Sequence, residues 1–103
     1  MKGSQFLKYW QPLLEVLNEM GGAGVRNEVI DRVIKKMNIA ETEVEEQISS
    51  GFSRVRNRIQ WAKAYLTKAG FLDSSVRGTW RITKKGLGAK LTEEQVLEIF
   101  KTT

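Results

Sequence analysis

A regular spacing of hydrophobic residues between Ser53 and Gly70 predicts one long amphipathic helix. Its hydrophobic positions recur every three or four residues, as one face of an α-helix requires: Val55, Ile59, Ala62, Leu66 and Ala69. Ser53 is a suitable N-cap, and Gly70 suits the left-handed residue with which helices commonly end. The helix is therefore predicted over about residues 53–68, with one face buried.

The same periodicity predicts two helices nearer the amino terminus. The first begins at Pro12 and ends at Gly21-Gly22, and residues 5–11 are either a separate turn or a proline-kinked extension of it. Ala23-Gly24 makes a tight connection to a second helix, Glu28 to Met37, with Asn27 as its N-cap. An aromatic and apolar cluster precedes Pro12 and is expected to pack in the core: Phe6, Leu7, Tyr9 and Trp10.

Three further elements are predicted from short local signals. A T-x-x-E capping box, Thr42 to Glu45, opens a short third helix that ends near Ile48. After Gly70 the period changes, and two strands, Phe71–Asp73 and 79–83, form a hairpin around turn residues. A second capping box, Thr92 to Gln95, opens an amphipathic last helix.

This order of elements is typical of a winged helix-turn-helix. The predicted fold is mainly α with a small β-hairpin: a three-helix core, a wing and a C-terminal helix. One domain is expected over residues 1–103, with its core at about 5–90 and the last helix at about 92–101.

Composition excludes several functional classes. Cysteine and histidine are both absent, so the chain cannot form a zinc site or a Ser-His or Cys-His nucleophile, and no metal or cofactor is expected. No apolar run approaches the length of a membrane span, and no signal-peptide pattern follows Met1. We therefore expect a cytoplasmic protein with no membrane partner and no small-molecule substrate.

The charge is strongly asymmetric along the chain. The formal net charge is +5, but residues 54–90 carry ten basic side chains and one acidic side chain, Asp73, a net of +9. Residues 1–53 and 91–103 each carry a net charge of −2. Concentrated positive charge of this kind favours a polyanionic partner on one side of the molecule.

Double-stranded DNA is the partner that fits this pattern best. Arginine and amide side chains on the solvent face of a helix are the residue types that read bases in the major groove. Basic residues on the hairpin, the predicted wing of about residues 71–85, suit phosphate or the neighbouring minor groove. The candidate DNA-binding residues are Arg54, Arg56, Asn57, Gln60 and Lys63 on the helix and Arg77, Arg81, Lys84 and Lys85 on the wing.

Three motifs stand in a fixed order along the chain: YWQPLLEVLNEMGG at Tyr9–Gly22, RIQWAKAYLTKAGFL at Arg58–Leu72 and RGTWRITKKG at Arg77–Gly86. Together they resemble the N-terminal domain of Mrr-type restriction proteins, over about residues 5–90. The resemblance implies a winged-helix DNA-binding domain. In that family the domain is usually followed by a nuclease domain that cuts foreign, often methylated, DNA.

The chain departs from the full-length pattern of that family, because we expect no nuclease half in it. Such nucleases hold a divalent metal with an aspartate and a Glu-x-Lys or Gln-x-Lys triplet. The nearest sequences, Gln60–Lys63 and Glu98–Lys101, are each one residue too long. An enzyme is therefore the least favoured interpretation, and the chain is expected to be the DNA-reading module of a restriction-type system.

Two alternatives remain open. A stand-alone transcriptional regulator would have the same sequence features. A protein-interaction or dimerisation module is the other alternative, since the apolar face of the last helix, Thr92–Phe100, can pack on the first helix or on a second copy. Trp61 and Tyr65 flank the buried stripe of the central helix, and burial is the favoured role for both over base stacking.

Overall fold

The computed structural model describes residues 7–103, so Phe6 of the predicted aromatic cluster lies outside the described residues. Five helices and three strands occur in this range: α1 (Trp10–Glu19), β1 (Ala23–Val25), α2 (Arg26–Lys36), α3 (Glu41–Val44), α4 (Arg54–Lys68), β2 (Leu72–Asp73), β3 (Thr79–Ile82) and α5 (Glu93–Thr102). The mainly helical winged-helix fold predicted from the sequence is confirmed. Over these residues, no helix is both long and apolar enough to cross a membrane.

The sheet is antiparallel, with strand order β1-β3-β2. The predicted hairpin is confirmed to within a residue: Leu72 pairs with Ile82 and Asp73 with Arg81. The third strand was not predicted, because Ala23-Gly24 was assigned to a tight connection. It pairs Ala23 with Arg81 and Val25 with Thr79, more than fifty residues away, so no local pattern identifies it.

α1 supplies the largest share of the core. Trp10, Leu13, Leu14 and Leu17 are fully buried, and the predicted core position of Trp10 is confirmed. The Trp10 indole stacks on the Tyr65 ring of α4, with ring centroids 5.7 Å apart. This contact fixes the first helix against the central one.

The amino-terminal ends of α1 and α2 differ from those predicted. α1 begins at Trp10, two residues before Pro12. Pro12 still lies in the first turn, where a backbone N–H has no carbonyl partner within the helix, so the missing N–H of proline costs no hydrogen bond. α2 begins at Arg26 with Val25 as N-cap and no side-chain cap, so the prediction of Asn27 as the cap is wrong. The reason is tertiary: the Arg26 N–H donates to the carbonyl of Gly78 in the wing. The strand β1 therefore leads directly into α2.

The third predicted helix is shorter than expected and has no capping box. α3 spans only Glu41–Val44, its N-cap is Ala40, and no side chain caps it. Ser53 explains the early stop, since its hydroxyl donates to the carbonyl of Val44 and its backbone pairs with Gln47. These contacts end α3 at Val44 and position the chain for the start of α4 at Arg54.

The caps of α4 and α5 agree with the local signals. The Ser53 hydroxyl accepts a hydrogen bond from the Arg56 N–H at 3.3 Å, and Gly70 has φ +90° after the last turn of α4. In α5 both bonds of the Thr92–Gln95 capping box are present. These signals predicted the structure because both partners lie within one helical turn.

Candidate nucleic-acid interface

α4 has one buried stripe and a solvent face without acidic residues. Val55, Ile59, Ala62 and Leu66 are buried, as predicted. The fifteen residues of the helix contain no aspartate or glutamate. The solvent face of α4 is therefore either cationic or neutral along its whole length.

Two of the predicted DNA-binding arginines form ion pairs within the protein. The Arg56 guanidinium donates to the Asp31 carboxylate of α2 at 2.7 Å. Arg54 lies 3.5 Å from the Glu46 carboxylate in the loop before α4. The sequence analysis did not identify either pair, because both acids belong to other segments. At the first turns of α4 the positive charge is thus partly balanced.

A cleft between α4 and the wing gathers cations from three separate elements. It encloses about 210 Å³ and contains Lys63 and Gln60 of α4, Arg77 of the wing, and Arg26 at the start of α2. Ser74, Val76, Gly78, Thr79 and Trp80 complete its lining. Among the residues that the structure describes, no acidic side chain lines the cleft. The structure therefore brings together three of the predicted residues, Gln60, Lys63 and Arg77, and adds Arg26 as a third cation.

Arg26 was not identified from the sequence because its neighbours there are ordinary helix-start residues. It enters the cleft through the bond between its backbone N–H and the Gly78 carbonyl, at 2.9 Å. Lys63 is held at the opposite wall, where its ammonium nitrogen lies 5.6 Å from the centroid of the Trp80 ring. Among residues 7–103, no carboxylate lies within salt-bridge distance of Arg26, Lys63 or Arg77.

The remaining wing cations have different environments. Lys84 is exposed, whereas the Lys85 ammonium donates to the Ala69 carbonyl at 2.8 Å and lies over the Phe71 ring. Lys85 therefore caps the C-terminal end of α4, where the helix dipole favours a positive charge. Arg81 is exposed and pairs across the sheet with Asp73.

Asp73 shapes the turn at the tip of the wing. Its carboxylate accepts a hydrogen bond from the Ser75 N–H at 2.9 Å. This backbone hydrogen bond, helped by the Ser75 side chain and by the charge of Arg81, holds the pKa of Asp73 below its ordinary value. Asp73, the single acidic residue between positions 54 and 90, thus acts as a turn residue.

Trp61 does not have the buried position that was predicted for it. Its side chain is 55% exposed on the solvent face of α4. Tyr65, the other aromatic residue on this helix, is partly buried between Trp10 and Phe100, with a centroid distance of 5.4 Å to the latter ring. The two residues differ because Trp61 lies farther around the helix from the buried stripe: at about 100° per residue it is about 100° from Ala62, whereas Tyr65 is about 60° from it.

Arg58 faces the interior side of α4 and acts on a buried phenol. Burial raises the pKa of the Tyr9 hydroxyl, and the positive charge of Arg58 partly offsets that rise. Over the described range, no group of three or more acidic side chains is arranged to hold a metal ion. Along the solvent face of α4 and in the cleft, the side chains available to a ligand are chiefly cations, amides and the Trp61 indole.

A family model described as the Mrr N-terminal domain matches residues 6–93, nearly the whole chain. It covers the whole three-stranded sheet, α4 and the cationic cleft, and it ends at the first residue of α5. No match was found among curated proteins or among solved structures.

Proposed function

The chain belongs to the Mrr N-terminal domain family, a family of non-catalytic, restriction-system-associated domains, and we propose that it binds double-stranded DNA. In this proposal α4 enters the major groove and the β2–β3 wing lies along the backbone. The protein is then the DNA-reading module of a restriction-type system.

The cationic cleft is the observation that carries the proposal. Arg26, Lys63 and Arg77 come from three elements that are distant in the sequence, yet they line one cleft with no acidic residue. Cations that converge without an internal carboxylate partner keep a strong local field. A backbone phosphate is the group on duplex DNA that such a cleft suits, and binding it would fix the position of α4 on the duplex.

The other candidate residues take separate roles in this arrangement. We assign base contacts to Arg56, Asn57 and Gln60, whose side-chain types can form bidentate hydrogen bonds with bases. Arg54 lies at the amino-terminal end of α4 and is assigned to phosphate. Arg54 and Arg56 must each exchange a carboxylate partner for DNA. Arg77, Arg81, Lys84 and Lys85 are assigned to phosphate or to the neighbouring minor groove. Of these, Lys85 contributes least because its ammonium is already bonded to Ala69.

A protein-interaction or dimerisation module has weaker support. In the structure, α5 buries Val96 and packs Phe100 against Tyr65 within the same chain. The apolar face of α5 is therefore used largely inside the protein. A dimer through the terminal helices would use a surface formed by α1 and α5. Sedimentation velocity at increasing protein concentration tests it, because dimerisation requires the sedimenting mass to double.

Fluorescence anisotropy of a labelled random duplex of about two helical turns tests DNA binding, with titrations repeated at several salt concentrations. We expect binding that weakens steeply as salt rises. The double variant Lys63→Gln/Arg77→Gln should weaken binding to every duplex and reduce the salt slope by about one to two units. The double variant Lys35→Gln/Lys101→Gln is the matched control, since it removes the same two charges at exposed positions outside α4 and the wing.

Wild-type protein that shows no binding at low salt overturns the proposal. Equal losses for the cleft variant and for Lys35→Gln/Lys101→Gln would instead show that only net charge matters. In that case the cleft has no special role, even though the protein binds DNA.

A further inference from the structure

Trp61 is the large apolar side chain that the fold leaves on the proposed DNA-reading face. It projects from the middle of α4, outside the buried stripe, and is 55% exposed. Its ring contact is with Tyr65 at 6.5 Å and 48°, a tilted arrangement at one edge of the indole. Most of the indole is therefore available to a partner.

The residues beside Trp61 indicate what kind of partner this is. One helical ridge, given by the 3.6-residue period, contains Arg54, Asn57, Trp61, Ala64 and Lys68. The ridge has two cations, an amide and no acid; Arg54 is paired with Glu46 of the preceding loop, so Lys68 supplies the net positive charge that complements a polyanion. Ala64 lies three residues from Trp61 on this ridge, and its side chain is too small to cover the indole.

Resting on the proposed DNA binding, we propose that Trp61 contacts the C5 methyl group of thymine in the major groove. The methyl group of thymine is the apolar feature that unmodified base pairs present there, and apolar side chains recognise it by contact. The indole offers a broad apolar surface and one N–H donor. Trp61 is thus a specificity-determining residue for T·A base pairs, while the cleft cations set affinity.

The test uses a duplex selected from a random library by the wild-type protein. Each thymine of the selected site is then replaced, one at a time, by uracil, which removes only the methyl group. At one or two positions we expect wild-type affinity to fall about fourfold, the value for exposing one methyl group to water. Trp61→Ala should lose about tenfold or more on the thymine duplex and should no longer distinguish thymine from uracil.

Two further variants separate base contact from loss of a surface apolar group. Trp61→Phe keeps an apolar ring and should retain part of the discrimination between thymine and uracil. Leu87→Ala removes another exposed apolar side chain, 67% exposed, outside α4, and should behave like wild type. Far-UV circular dichroism and thermal melting establish that each variant is folded.

The outcomes distinguish this inference from the proposed function. Wild-type protein that binds no duplex overturns DNA binding itself. Wild-type protein that binds thymine and uracil duplexes equally at every position overturns the role of Trp61 and leaves DNA binding intact. Normal DNA binding by Trp61→Ala, combined with a changed oligomeric state, would assign the indole to a protein interface and would also overturn the inference.

Discussion

The Arg56 guanidinium lies 2.7 Å from the Asp31 carboxylate, joining the first turns of α4 to α2. Asp31 is largely exposed and the Arg56 side chain is about one-third exposed, so the pair contributes at most about 1 kcal/mol to stability. In the proposed DNA complex its larger effect is on binding, because a carboxylate beside an arginine that faces DNA both occupies that arginine and repels phosphate.

Replacing that carboxylate should strengthen DNA binding. In Asp31→Asn, Arg56 no longer has to exchange an anionic partner, and we expect affinity for duplex DNA to rise by up to about fivefold at low salt. The matched control is Glu28→Gln, which removes the same charge from α2 but breaks a pair with Arg32 within that helix. Equal gains for both variants, measured by anisotropy, would assign the effect to net charge.

Lys84→Ala should weaken binding to all duplexes alike. Lys84 is exposed on the wing, where a cation meets phosphate and carries no sequence information. The salt dependence of log Kd should flatten by about one unit, as expected for one lost phosphate contact. An unchanged affinity for every duplex would contradict the assignment of the wing to DNA.

Gln60→Ala should change selectivity more than affinity. Gln60 is exposed at the edge of the cleft, and its amide is of the type that reads adenine. The expected result is a loss of about 1–3 kcal/mol on the preferred duplex and little change on unrelated duplexes. Selection from a random library with wild type and variant provides the comparison, and identical selected sequences would refute the base contact.

Gly86→Ala should destabilise the fold. A Cβ at Gly86 would press against the carbonyl oxygen of Phe71 and lie 2.7 Å from the Ile82 side chain. We expect the free energy of unfolding to fall by about 1–3 kcal/mol in urea titrations, since backbone is one of the clashing groups. Leu87→Ala, at the exposed neighbouring position, should be close to neutral.

The turn at Asp73 should stabilise the wing in a pH-dependent way. Because the folded pKa of Asp73 is lower than its ordinary value of 3.8, its contribution is fully present above that value. It is lost as the pH falls through the folded pKa. NMR titration of the carboxyl carbon should therefore give a pKa below 3.8, and Asp73→Ala should lower the melting temperature at pH 6 but not at pH 2. Equal effects at both pH values would contradict this account.

Local signals predicted the helices and the hairpin well where both interacting partners lie within a few residues. The buried stripe of α4, the Ser53 cap, and the Thr92–Gln95 capping box are of this kind. The Thr42–Glu45 box failed although its pattern was equally clear. α3 instead begins at Glu41 with Ala40 as its N-cap, so Thr42 lies inside the helix. The helix also ends early, because Ser53 binds the carbonyl of Val44, a contact that no window around Thr42 contains.

The residues of the candidate site also divide into those that the sequence predicted and those whose contacts only the structure showed. Sequence placed Gln60, Lys63 and Arg77 on the correct elements, and the structure shows that they share one cleft. It did not reveal that Arg54 and Arg56 are paired with acids, or that Arg26 lines the same cleft. Those relationships join segments tens of residues apart.

By itself the sequence determined the fold class, the position of the central helix and the concentration of positive charge in residues 54–90. These follow from periodicity, capping and composition, which act over one or two turns of chain. Only the tertiary structure decided the pairing of β1 with β3, the convergence of cations at the cleft and the exposure of Trp61. These depend on how the elements pack against each other, and the energy of that packing is shared among residues that no short stretch of sequence contains together.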